Sequence, residues 1–317
     1  MILLAFIGMS LAWSFSWFFG KIQTLSILPI ELSLFYRMFC GGLLMLLICF
    51  ATKTRFIAKK QEIKYFLIIA VCNFSINFLL VYLAVSYIAS GVAAVIFSLS
   101  IIVSEIISAI VEKRTISKKL IISGSIGFIG LVLFINQPIV DIFKHRNGNG
   151  ALIGVALSIL AMTIYSAGNV MVAVNRKRNQ TPLYCLIANA MLIGSLVAFV
   201  INIYFGNFIL ANYPVKPSLL FGILPMDLSN SYIYASIYMV IIATVFAFIC
   251  LFYLVQRVGS TKANYTALVY PVVALITSYF YENFTFNMLT LCGFWFIILA
   301  IACEFFFFNK NKALNIT

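Results

Sequence analysis

The chain has 317 residues, 64% of them apolar and 9% charged, with a mean hydropathy of +1.10 and a net charge of +13. That leaves too little polar surface to coat a soluble globule, so the composition excludes a water-soluble fold and describes a polytopic membrane protein. Nucleic acid is not the implied partner of the positive charge, because the Lys and Arg sit in short loops between apolar runs, where membrane topology accounts for them.

Ten apolar runs are long enough to cross a hydrocarbon core of ~30 Å, which takes ~20 helical residues. They fall near 2–20, 32–52, 64–85, 91–111, 119–136, 151–173, 183–205, 232–255, 263–281 and 287–308. The first starts almost at Met1 without a basic leader or a small-residue cleavage site, so it is expected to be retained as a span. It carries Trp13 and Trp17, a turn apart and too deep for an interfacial belt, as candidates to stack on a cargo or simply to pack. Span two carries Arg37, which is expected to snorkel outward or bind helix-end carbonyls, with substrate contact as the alternative. Span three places Asn73 and Asn77 one turn apart.

Span four holds Glu105, the sharpest candidate, since a carboxylate in hydrocarbon is costly unless it meets a partner or a wet cavity. With Ser98, Ser108 and Glu112 it forms one helical stripe expected to face a cavity, where Glu105 binds a cationic group or carries a coupling proton. Glu112 and Glu282 read as structural caps. The Gly-rich polar linker from Lys144 to Gly150 divides the chain into 1–143 and 144–317. Span six offers a stripe of Ser158, Met162, Tyr165 and Asn169. The segment 206–231 is too polar and Pro-rich to span, and span nine adds Tyr265 and Tyr270.

With a cytosolic N-terminus the inside segments carry 16 Lys and Arg against 4 outside, so both termini are expected in the cytosol. Shifting residues 85–115 by 170 positions aligns eight identities, among them Ser90/Ser260, Ser108/Ser278 and Glu112/Glu282. Because the spans around both copies fall in the same order, this reads as an internal repeat. Five spans separate the copies, so the halves are inverted, the arrangement that alternating access requires around a mid-membrane site.

Further residues carry a family resemblance. Gln256-Arg257-Val258-Gly259, Ala263-Asn264-Tyr265, Tyr270-Pro271 and Glu282-Asn283-Phe284-Thr285 resemble the second half of an EamA-type member of the drug/metabolite transporter superfamily. Ser90 to Ser100, followed by Glu112-Lys113-Arg114-Thr115, resembles the matching first-half element, and Arg37 stands where such proteins often carry Arg. The likeness runs from Trp13 to about Ala302, with Ile101 where the first half often has Pro and Glu105 where the position is usually apolar or small. It implies an all-α membrane protein of ten helices in two inverted five-helix repeats, around a central cavity lined mainly by spans one, three, four, six, eight and nine.

The expected function is secondary transport of small polar metabolites across a bacterial inner membrane, amino acids first. The alternatives are uptake of a nucleotide-like cationic metabolite such as S-adenosylmethionine, or a lipid-handling flippase. The candidate binding residues are Glu105, Trp13, Trp17, Asn73, Asn77, Ser98, Tyr165, Asn169, Tyr265 and Tyr270. The expected partners are a small-molecule substrate, the bilayer and protons. Neither a cofactor nor an enzymatic centre is expected. A membrane protease would need a Ser–His or paired-Asp arrangement, and no span holds Asp while the one His, His145, lies in the linker. Metal sites are unexpected, because the seven Cys all lie in apolar runs without metal-type spacing.

Overall fold

The computed structural model describes residues 1–25, 28–113, 115–116, 118–134, 149–210, 219–220, 224–225, 230–268, 270–281 and 287–313. The expected 143/144 boundary, most of the Pro-rich segment 206–231 and Glu282 to Thr285 lie outside these residues. The helices are α1 Ile2–Ser14, α2 Ser16–Thr24, α3 Ile30–Ala51, α4 Ile63–Phe74, α5 Ile76–Tyr87, α6 Ser90–Ser98, α7 Ser100–Val111 and α8 Lys118–Phe134. They continue with α9 Asn149–Asn179, α10 Leu183–Leu210, α11 Asn230–Val240, α12 Ala247–Val258, α13 Ser260–Ala263, α14 Tyr270–Tyr281 and α15 Met288–Ala313.

Eight helical stretches among the described residues are long and apolar enough to cross a membrane, and they coincide with expected spans one to four and six to nine. The other two expected spans appear as shorter apolar helices, Ile121–Phe134 and Met288–Ala300. The chain is therefore a multi-pass membrane protein. Its outer surface is that of a lipid-facing bundle: Leu47, Phe50, Phe128, Leu196 and Phe280 are all exposed.

Hydropathy alone suggests continuous spans, but five crossings change pitch or direction midway. The first is interrupted at Phe15, the third at Ser75 and the fourth at Leu99. Between α11 and α12 the residues Ile241–Phe246 form a π-helical segment, and between α13 and α14 Asn264–Leu268 form a 3-10 turn. Such interruptions free backbone groups that hydrocarbon cannot satisfy, so they are tolerated only where neighbouring helices supply partners or a cavity intervenes.

Packing sorts the helices into pairs. α3 lies along α10, α8 along α15, α9 along α4 and α5, and α6 along α14. Glycines set the closest approach of α8 and α15, where a Cβ at Gly130 would sit 2.8 Å from the Ile297 nitrogen and one at Gly293 2.6 Å from the Gly130 oxygen. Small residues at such crossings let backbones meet, which is how helices associate when lipid tails are as apolar as side chains. At the end where α3 turns into α4, the buried carboxylate of Glu62 accepts from Arg55, from the Thr181 hydroxyl at 2.8 Å and from the Lys59 amide at 2.8 Å, pinning one interhelical loop to another.

Gly293→Val should lower the thermal midpoint of the purified protein, by about 1–3 kcal/mol of overpacking. Gly124→Ala should leave the midpoint unchanged, because its added Cβ meets Ile102 at an ordinary 3.6 Å. Equal midpoints in a thermal-unfolding comparison would refute the role given to the glycine contact.

Candidate functional site

The interruptions converge on one region, and side chains there take up the freed backbone groups. The Trp13 indole N–H donates to the Ala243 carbonyl of the π-helical segment at 3.0 Å, and Tyr238 donates to the Ala12 carbonyl at 2.8 Å. Ser16 donates to the Trp13 carbonyl at 2.8 Å beside the Phe15 break, and Ser75 to the Ala70 carbonyl at 3.2 Å at its own. The first crossing is thus tied to the π-helical segment and α11 from 230 residues away in sequence.

Beside these ties lies a narrow cavity of about 50 Å³. One wall is aromatic: Trp13, Trp17, Phe97, Tyr165 and Tyr270 line it, with Trp17 5.1 Å from Phe97 and 6.1 Å from Tyr270 between ring centres. Trp13 meets Tyr165 at 5.8 Å and Tyr270 at 6.2 Å. Rings at such spacing brace one another, so their faces are fixed before any cargo arrives.

Polar groups also line the cavity. Arg37 is 3% exposed and lines the cavity, with its Nε donating to Thr244 Oγ1 at 2.6 Å, its Nη1 to the Tyr82 hydroxyl at 3.3 Å, and its guanidinium 4.4 Å from the Phe78 ring centre. Tyr82 in turn donates to Gln23, whose amide donates to Ser236 at 3.0 Å. Asn77, one residue before Phe78, also lines the cavity, and its buried Oδ1 has no hydrogen-bond partner among the described residues.

Behind the aromatic wall a ladder of amides closes the bundle. Asn73 Nδ2 donates to Asn169 Oδ1 at 2.9 Å, Asn169 Nδ2 to Asn264 Oδ1 at 3.1 Å, and Asn264 Nδ2 to Ser104 Oγ at 2.6 Å. The Tyr165 hydroxyl reaches Asn264 Oδ1 at 3.4 Å. Further along the same crossing Thr261 donates to Glu105 at 2.7 Å and Ser108 pairs with Ser260 at 3.3 Å. At its other end Ser90 pairs with Ser278 at 3.2 Å, and the Gly91 amide donates to Ser278 Oγ at 2.8 Å.

The structure thus gathers Trp13, Trp17, Asn77, Tyr165 and Tyr270 on one cavity. Asn73 and Asn169 sit behind it in the ladder. Glu105, Ser98 and Tyr265 are off the lining: Glu105 holds Thr261, Ser98 donates to its own Val95 carbonyl at 2.6 Å, and Tyr265 is buried in the 3-10 turn. The stripe through Ser98 and Glu105 is interrupted because Leu99 ends α6. Glu112 follows the last residue of α7 and bonds Lys177 at 2.6 Å on the surface, in keeping with a structural role. Arg37 corrects its expectation: it turns inward, because Thr244, Tyr82 and Phe78 give its charge a polar and aromatic seat that outward snorkelling would forgo. The signal for it was in the chain, as an Arg within a span marks a functional site by default.

The description of the EamA-like transporter family matches residues 1–136 and 152–305. The chain belongs to that family. This EamA-family protein is accordingly a membrane transporter of small molecules. It is 25% identical over 281 residues to an uncharacterized transporter in the trpA 3' region of Buchnera aphidicola subsp. Schlechtendalia chinensis, covering 88% of this chain and 84% of that protein. A crystal structure of a protein with 14% identity superposes over 98% of both chains with a TM-score of 0.65, a likeness of fold.

Replacing Asn264 by Leu should strand Asn169, Ser104 and Tyr165 and lower stability by roughly 1–3 kcal/mol for each buried group left unpaired. Asn77→Ala removes an acceptor with no partner among the described residues and should cost less than Asn264→Leu. Thermal unfolding in detergent ranks the two, and the reverse order would contradict the ladder's structural role.

Proposed function

We propose that this EamA-family protein is a secondary transporter moving small polar metabolites, amino acids and amino-acid-like compounds first, across a bacterial cytoplasmic membrane by alternating access between two inverted five-helix halves. One observation carries the reading. The serines that repeat at a shift of 170 bond crosswise, Ser90 to Ser278 and Ser108 to Ser260. Exchanging the two copies turns the first pair into the second, as a two-fold axis in the membrane plane would. The pairs close opposite ends of one helix crossing, about 27 Å apart at 1.5 Å per residue. Opening one pair exposes the cavity to one compartment while the other keeps the second compartment sealed.

Two further facts support the halves. The family description falls once on 1–136 and again on 152–305. The asymmetry of 16 cations against 4 supports cytosolic termini, which puts Ser108 and Ser260 at the cytosolic end.

The two closures differ in chemistry. At the Ser108 end Glu105 accepts from Thr261. The equivalent positions at the Ser90 end are Leu275 and Gly91, and there the backbones come so close that a Gly91 Cβ would lie 2.9 Å from the Leu275 Cα. Glu105 therefore serves in this reading as the coupling group, its proton weighting the cytosolic closure rather than contacting cargo.

A cationic, nucleotide-like cargo would meet the Arg37 guanidinium where it needs an anion. Lipid handling draws support from a second groove of about 470 Å³ that shares Arg37 and is otherwise mostly apolar, lined by Leu43, Leu44, Leu47, Ile237 and Ile241.

Disulfides trapped at 90/278 or at 108/260, in a variant whose seven native Cys are replaced, should each abolish uptake into proteoliposomes, and reduction should restore it. Transport that survives either trap would rule out the two-closure mechanism. Glu105→Gln should leave cargo affinity in place and flatten the pH dependence of uptake; an unaltered pH profile would remove Glu105 from coupling.

A further inference from the structure

The cavity holds a buried cation with no carboxylate beside it. Neither the Arg55–Glu62 nor the Lys177–Glu112 ion pair involves Arg37. Glu31, on the same helix, is about 9 Å along the axis and on another face, given 1.5 Å and 100° per residue. Neutral hydroxyls take Nε and Nη1, a ring covers one face, and Nη2 has no hydrogen-bond partner among the described residues. A buried guanidinium left in that state is costly until an anion completes it, and its planar fork matches a carboxylate in two parallel bonds. Next to Phe78, whose ring touches the guanidinium, Asn77 adds the complementary feature, a buried acceptor oxygen with no donor. The same cavity is lined by the braced rings of Trp17, Phe97 and Tyr270.

We propose that Arg37 and Asn77 form the head-group site for a zwitterionic carboxylate. The carboxylate docks on the open edge of Arg37, the ammonium donates to Asn77 Oδ1, and a flat apolar body lies against the aromatic wall. The inference rests on the carrier reading above and narrows its cargo: the carboxylate is required for binding, and the ammonium adds to it.

The test uses the purified full-length protein in detergent and three probes that share a phenyl body: L-phenylalanine, 3-phenylpropionate, which lacks the ammonium, and phenethylamine, which lacks the carboxylate. Titration calorimetry on the wild type should show both carboxylates binding and phenethylamine binding at least about tenfold more weakly, the scale of one charged hydrogen bond. Arg37→Gln should weaken both carboxylates by roughly 10–100-fold, while Arg37→Lys, which keeps the charge and loses the fork, should fall between. Phenethylamine binding as tightly as 3-phenylpropionate, no carboxylate binding up to about 10 mM, or an unchanged affinity in a folded Arg37→Gln protein would each overturn the proposal. Should Arg37→Gln fail to fold, the wild-type comparison decides alone. The carrier reading stands or falls separately, on the two disulfide traps.

Discussion

Inside a bilayer no water is at hand to satisfy a polar group, and this constraint organises the molecule. Interrupting five crossings creates free carbonyls and amides in the middle of the bundle, and each interruption is affordable only next to a donor or acceptor from another helix. The bond from the Trp13 indole to the Ala243 carbonyl shows the rule at work. It joins the first crossing to the π-helical segment, and Trp13 itself lines the cavity. The ladder from Asn73 through Asn169 and Asn264 to Ser104 joins three crossings. Arg37 and Asn77, by contrast, line the cavity.

Position relative to the cavity separates the buried amides. Three asparagines on three crossings are linked in one ladder and lie outside the cavity lining, although Asn73 Oδ1 has no partner among the described residues. Asn77, one turn from Asn73, faces the empty space instead. A single helical turn divides a structural amide from a binding candidate.

The class of fold was legible in the sequence because hydropathy is a strong signal over twenty residues, and eight of the expected crossings recur as helices within a few positions. The bonds of Ser90 to Ser278 and of Ser108 to Ser260 were not legible, because a fixed shift of 170 between Ser90/Ser260 and Ser108/Ser278 says nothing about which positions touch. The interruptions at Phe15, Ser75 and Leu99 were hidden for a related reason: no proline marks them, and the groups that stabilise them come from distant parts of the chain. Arg37 and Glu105 exchanged prominence on the same ground. Both were visible as charges within spans, but only the three-dimensional neighbours show that Arg37 opens on a cavity and Glu105 reaches across to Thr261.

One further consequence lies in the crossing of the fourth and ninth spans. The same two rods are joined at both ends, and the contact between them runs in opposite directions along each, with the joint of the first rod at Leu99 between the two ends. In the two-closure mechanism proposed above, the pair would work as a seesaw: prising the rods apart at one end would drive them together at the other. A leak, with both ends ajar at once, would require the rods to separate bodily, tearing the Asn264–Ser104 rivet beside the fulcrum.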